Sequence, residues 1–201
     1  MADHLRYAGV SPDAQRDALF GIVRESPVLM RTLRLARGMG LPDWWLVSGA
    51  IYNQVWNHLT CRADMHGVKD IDLFYFDPDL TYAAEDRVIR RAAAIFPPKP
   101  PIELRNQARV HLWYPDHFGT PYPQLHSSAE GIDRFAALTH CVGLRLEADD
   151  ALRLYAPYGL DDIFAFRVVP NTAMPNRETH ERKAARQKAI WPELEVVPWP
   201  E

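Results

Sequence analysis

The chain has 201 residues, enough for one large domain or a compact core with a small helical annex. Its 47% hydrophobic and 24% charged residues, with eight Phe, eight Tyr and six Trp, exclude a disordered chain. A net charge of −3 provides no global attraction for nucleic acid or an anionic membrane, and leaves room for a local basic groove.

The opening MADHLRYAGV lacks a charged leader followed by an apolar stretch, and no run of roughly 18 apolar residues follows anywhere. A soluble cytoplasmic protein with no membrane partner is expected. Ser11-Pro12-Asp13 and Ser26-Pro27 each read as an N-cap followed by Pro at the first helical position. Two helices therefore precede the first strand, the second ending near Gly38 and Gly40. Residues 44–48 form a short apolar run closed by Gly49, a buried strand, and residues 50–59 read as a helix. Residues 61–69 are loop-like. Ile71, Leu73 and Tyr75 alternate with Asp70, Asp72, Phe74 and Phe76, as a mostly buried strand requires.

Asp77-Pro78-Asp79 ends that strand, and residues 81–96 read as a long helix. The run Pro97-Pro98-Lys99-Pro100-Pro101 stops it and delivers an extended chain to a strand over 102–105. A short helix over 106–113, a Pro-containing loop or lid over 114–128, and a helix over 132–138 follow. Residues 142–146 and 152–155 make a hairpin around Ala148-Asp149-Asp150. Asp161 and Asp162 start or cap a short helix, and a charged helix covers 177–190. The fold class is α+β (mixed α/β): a short mixed sheet flanked by helices, read as one domain over 1–201. Its parts are a helical segment over 1–40, a core over 41–171, and a C-terminal helix and tail over 172–201.

Two residues apart on a strand share a face, so Asp70 and Asp72 project together, roughly 6–7 Å apart along the backbone. Carboxylates beside an apolar sheet repel one another and resist desolvation, and a divalent cation offsets both costs. Mg²⁺, or Mn²⁺, takes such oxygens and completes its shell with waters and substrate phosphates. A solvated strand end, or ion pairs with Lys69 or Arg105, is the plainer reading of the pair alone. Upstream, Val47-Ser48-Gly49-Ala50 lies where a strand turns into a helix, where free N–H groups face an anion; an ordinary capped helix start is the alternative. Downstream, Glu103 places a third carboxylate on another apolar strand.

Together these residues resemble the polymerase-β-type nucleotidyltransferase superfamily. More closely, Ser48-Gly49-Ala50-Ile51-Tyr52-Asn53, the segment from Asp70 to Asp77, the segment from Arg105 to Tyr114, and Ala156-Pro157-Tyr158-Gly159-Leu160-Asp161-Asp162 are similar to a family of small bacterial nucleotidyltransferases. The resemblance implies a polymerase-β-like core and transfer of a nucleoside monophosphate from an NTP to an acceptor hydroxyl, with release of pyrophosphate. It implies Asp70, Asp72 and Glu103 as catalytic and metal-holding residues, the two Asp bridging two Mg²⁺ ions. Ser48 and Gly49 would meet the triphosphate, and Lys69, Arg105 and Arg109 would offset phosphoryl charge. Tyr52, Asn53 and Asn106 would meet the nucleotide. The acceptor is left open among tRNA, a protein and a small molecule. Ala50 stands where the superfamily usually has Ser or Gly, so a non-catalytic nucleotide-binding or interaction module on the same fold is the alternative.

The eight His show no metal-binding spacing, so zinc is not indicated. Cys61 and Cys141 lack a CxxC spacing and read most simply as free thiols, with a disulfide left open. Arg177, Arg182, Lys183, Arg186 and Lys188 would suit an RNA acceptor. Because Glu178 and Glu181 interleave with them, a solvated helix face is the reading the sequence favours.

Overall fold

The computed structural model describes residues 3–201. A single 3₁₀ turn at Asp3–Leu5 leads into α1 (Pro12–Glu25) and α2 (Pro27–Gly38). Each helix begins as its sequence dictates. Ser11 accepts from the Ala14 amide and Ser26 from the Leu29 amide, and Pro occupies the first position, where its missing N–H costs nothing. Leu19, Ile22, Val23, Leu29 and Leu33 turn inward from this pair and are essentially fully buried.

Then come β1 (Trp45–Val47), α3 (Gly49–Leu59), β2 (Ile71–Tyr75), α4 (Tyr82–Ile95) and β3 (Ile102–Asn106). After a 3₁₀ turn at Gln107–Arg109 follow α5 (Val110–Phe118) and α6 (Ser128–Ile132), and after another at Leu138–His140, β4 (Gly143–Leu146) and β5 (Leu152–Tyr155). The chain closes with α7 (Asp161–Phe164), β6 (Arg167–Val168), α8 (Arg177–Ile190) and β7 (Glu195–Val196). Five strands form one mixed sheet in the order β3-β2-β1-β4-β5, and β6 pairs with β7 in parallel. No helix among the described residues is long and apolar enough to cross a membrane.

The strand register sorts side chains onto two faces with different roles. Leu46 pairs with Leu73 and Leu144, and Leu73 with Leu104, so this face is a continuous apolar layer. It packs with Ile71, Tyr75, Ile51, Val55 and Trp56 into the main core. The opposite face carries Trp45 beside Phe74, Val47 beside Asp72, Asp72 beside Glu103, and Phe74 beside Arg105. Over part of it lies a smaller apolar cluster of Trp45, Val47, Ile132 and Cys141, with Phe74 and Phe135 at its margin. Asp70, Asp72, Glu103 and Arg105 lie outside that cluster.

Three segments depart from the sequence reading. Residues 114–118, expected to begin a loop, continue α5 through Pro115 until Gly119 ends the helix in the left-handed conformation. Proline there removes one helical bond near the end of a nine-residue helix, which a left-handed cap tolerates. The helix expected over 132–138 lies earlier, at Ser128–Ile132, because Ser127 caps it by accepting from the Glu130 amide. Beyond Ile132 the chain is held in turns by Asn171, whose Nδ2 donates to the carbonyls of Asp133 and Phe135 at 2.7 and 2.9 Å. The β6–β7 pair has no signal in strands of two residues. Asp161 does open a helix, and its Oδ1 accepts from the Gly9 amide and Gln15 Nε2. Both cysteines are free, Cys61 exposed and Cys141 buried.

The loop before β2 is fixed to the end of α8. Trp191 Nε1 donates to Asn57 Oδ1 at 3.0 Å, Arg62 pairs with Glu193 at 3.0 Å, and Gly67 backs onto the Trp191 ring. Gly67 has φ +70°, and a Cβ there would lie 2.8 Å from Trp191 and 2.9 Å from Ile190. Gly67→Ala is therefore expected to lose roughly 2 kcal/mol or more in denaturant unfolding, combining backbone strain with overpacking. Gly9→Ala, with φ +69° and open space around it, separates the two terms and should lose less. Equal losses would remove the packing explanation.

Candidate active site

Asp70 and Asp72 lie on the sheet face opposite the main core, β2 being braced on both sides by β1 and β3. They open into a cavity of about 460 Å³ lined also by Ser48, Gly49, Tyr52, Lys69 and Glu103, and by Arg182, Lys183 and Arg186 of α8. Seven of the residues singled out from sequence thus meet in one place: Asp70, Asp72, Glu103, Ser48, Gly49, Tyr52 and Lys69.

The turn between β1 and α3 forms one wall. Ser48 has φ 58° and ψ −117°, a conformation that costs a non-glycine residue strain. Its amide donates to Val142 at 2.8 Å and its carbonyl accepts from Ile51 and Tyr52, which holds the turn in place. Its side chain makes no cap bond, so the first amides of α3 are left toward the cavity. Gly49 is not demanded by the fold: a Cβ there would meet only Tyr52 Oη at 3.7 Å and Asn53 Nδ2 at 3.8 Å. Asn53 lies buried behind the turn with its Oδ1 lacking a hydrogen-bond partner.

The acids form the floor. Glu103 is in register with Asp72 across the parallel β2–β3 pair, is about half exposed, and has Arg105 as its partner at 3.6 Å. Burial, then the neighbouring Asp70 carboxylate, pushes Asp72 up from 3.8 to about 7, against the pull of Lys183. Lys183 is itself pushed down by burial and held up by Asp72. No group of three His, Cys, Asp or Glu side chains closes into a metal cluster among the described residues, although Glu103 lies beside Asp72 across the strand pair. The pair itself fits a hard divalent cation: two mutually repelling carboxylates, Asp72 desolvated, without an ion-pair partner among the described residues.

The third wall was missed in the sequence. Arg182, Lys183 and Arg186 belong to a helix whose solvated face looked the simpler reading, yet α8 packs inward through His180, Ala184 and Gln187. These three sit at i, i+4 and i+7, a neutral stripe among charges, which was the available signal. Gln187 Nε2 donates to Tyr52 Oη at 2.8 Å, and its Oε1 lies 3.2 Å from His140 Nε2. His140 stacks on Tyr52 at 4.8 Å and is held neutral, its basicity lowered to about 3 chiefly by burial. Tyr52 is thus a strut between α3 and α8, with its ring already stacked on His140.

Asn106 and Arg109, expected at the nucleotide, point elsewhere. Asn106 Oδ1 accepts from the Asp77 and Ala108 amides, and its Nδ2 donates to the Asp77 carbonyl. Arg109 pairs with the buried Glu85 of α4 and donates to the Leu80 carbonyl at 3.0 Å. Both are consumed in fixing the loop between β2 and α4, because Glu85 also accepts from the Asn106 amide at 2.9 Å. Arg105 faces solvent on the same sheet face as Glu103, at the margin of a neighbouring aromatic pocket.

A family model described as nucleotidyltransferase matches residues 34–196, from within α2 through the whole of α8. The chain belongs to this nucleotidyltransferase family. A solved structure described as revealing a CCA-adding enzyme head domain is 29% identical, with a TM-score of 0.73. The match covers 91% of this chain and 96% of that one. No curated protein matches the chain. The polymerase-β-type fold, a five-stranded mixed sheet flanked by helices, and a transferase acting on nucleotidyl groups follow from these matches.

In this nucleotidyltransferase the buried acid carries a pH signature. Asp72 titrates near 3.8 when unfolded and near 7 when folded. Between those values the folded state holds a proton that the unfolded state has released, so this group makes stability fall as pH rises through the window. Asp72→Asn removes the effect. In chelator the variant is expected to be more stable than wild type by up to about 4 kcal/mol above neutral pH, converging with it below about pH 4. Denaturant curves across pH that stay parallel would refute this.

Proposed function

We propose that the protein transfers a nucleoside monophosphate from an NTP to an acceptor hydroxyl, with Mg²⁺ held by Asp70 and Asp72 and pyrophosphate as the leaving group. The observation that carries the reading is the convergence of that acid pair with the amino end of α3 and the α8 cations in one cavity. Acids alone would repel a triphosphate. The free amides after Ser48 and the ammonium of Lys183 give its oxygens donors on the other walls.

The NTP phosphates lie between Gly49 and Lys183, with Arg186 and Lys69 beside them. The bound metal supplies Lewis-acid polarisation of the phosphoryl oxygens. Glu103, opposite Asp72 on the edge strand β3, receives the acceptor side. The acceptor oxygen attacks the α-phosphorus, the bond from that phosphorus to the bridging oxygen breaks, and pyrophosphate departs. The acceptor proton passes to the Glu103 carboxylate. Because β3 is an edge strand, a large acceptor meets no further strand at Glu103. The relative described as a CCA-adding enzyme head domain favours RNA among tRNA, protein and small-molecule acceptors.

Pyrophosphate release, measured with each NTP, Mg²⁺ and an acceptor panel that includes tRNA, tests the reading. Asp70→Ala and Asp72→Ala should each abolish it, and Lys183→Ala should lower it by roughly a hundredfold. Turnover that survives loss of both acids would overturn the proposal. Gly49→Ala sharpens the test, since the fold has space for the methyl group. It should keep or slightly raise the melting temperature while weakening NTP binding; unchanged NTP affinity would exclude phosphate from this turn.

A further inference from the structure

Next to the acidic cavity, and sharing Lys183 with it, lies a second cavity of about 190 Å³ with a different lining. Its walls are aromatic: Phe74 and Phe135 stack at 5.5 Å with 22° between their planes, and Tyr114 and Tyr122 approach to 4.4 Å. Its polar lining is Arg105, Gln107, Arg134, Asn176, Thr179 and Lys183. Gln107 reaches the lining because position 131 is glycine, whose added Cβ would collide with the Gln107 amide. Asn176, just before α8, also lines it, and its Oδ1 is enclosed without a hydrogen-bond partner.

The strand geometry joins the two cavities. Phe74 follows Asp72 by one pleat on the same face, roughly 6–7 Å along β2, and Arg105 stands beside it on β3. One ligand that spans both must be polyanionic at one end and planar, weakly polar and heteroaromatic at the other. We propose that this aromatic pocket holds the base of the NTP whose phosphates occupy the acidic cavity, with the enclosed Asn176 carbonyl accepting from the base edge. The assignment rests on the nucleotidyl-transfer reading and adds where the base lies. It also leaves the acceptor the open side at Glu103, since the nucleoside fills the path past Phe74. Base selection thereby belongs to the loop after α5 and to the start of α8.

Isothermal calorimetry on the full chain with Mg²⁺ tests this with two probes, an NTP and inorganic tripolyphosphate, the latter having no base. Tyr122→Ala should weaken NTP binding roughly tenfold while leaving tripolyphosphate unchanged, and Tyr122→Phe should bind both as wild type does. Should Tyr122→Ala not fold, Asn176→Ala reads the same contrast, since the Asn176 side chain makes no cap bond that the change could remove. Equal weakening of both probes, or of neither, overturns the base pocket. Unchanged NTP affinity with a raised KM for the acceptor overturns it too, and gives the pocket to the acceptor. Wild type that binds tripolyphosphate but gains nothing from the base also refutes it, while leaving the phosphate site standing. Wild type that binds neither probe removes the nucleotidyl-transfer reading itself.

Discussion

Asp72 is a carboxylate placed at the middle of a sheet, between Val47 on one neighbouring strand and Glu103 on the other. Nothing in a sheet can solvate it, since strand backbones spend their donors on one another. The rest of the architecture answers that constraint. β1 turns into α3 directly beside it and leaves amides uncapped, while α8 is folded back across the sheet so that Lys183 faces the acids. The burial that pushes Asp72 upward also weakens Lys183 as a base. Burial of these charged groups costs stability, as perturbed groups at functional sites commonly do.

Rigidity is supplied from behind. The Tyr52–Gln187–His140 network ties α3 to α8 through buried, neutral groups, so the β1–α3 turn and the cationic wall hold a fixed separation. Trp191 and Gly67 tie the end of α8 to the loop that leads into Asp70. Glu85, Arg109 and Asn106 fix the loop that leaves β2. Each element that lines the cavity is therefore anchored through buried contacts behind it. This is why Asn106 and Arg109 lie within a motif of the resemblance yet serve as supports.

The two sheet faces divide the labour by the period of the strand. Leu46, Ile71, Leu73, Tyr75 and Leu104 provide the core, and the alternate positions provide chemistry. A shift of one residue in β2 would exchange Leu73 for Asp72 and destroy both at once, so folding and site formation share one register. Near α6 the active face is sealed by Ile132, Phe135 and Cys141, and near β3 it stays open. That asymmetry leaves the face closed on one side and accessible on the other.

The sequence by itself determined what depends on near neighbours. Ser-Pro starts for α1 and α2, the alternation of β2, the Pro stop after α4 and the hairpin of β4 and β5 are all local. So is the pairing of Asp70 with Asp72 on one face, because two residues on a strand share a side whatever surrounds them. Tertiary structure decided the rest. Glu103 joins the acids only through the parallel register of β3 on β2, and Lys183 and Arg186 reach them only through packing of α8. The charge pattern of α8 states merely that most of it tolerates water, and its neutral stripe gives no address. Asn106 and Arg109 were legible as polar residues near a site, but their partners Asp77 and Glu85 lie on other segments. The aromatic pocket draws Phe74, Tyr122 and Asn176 from three distant stretches, and no period in the chain could have joined them.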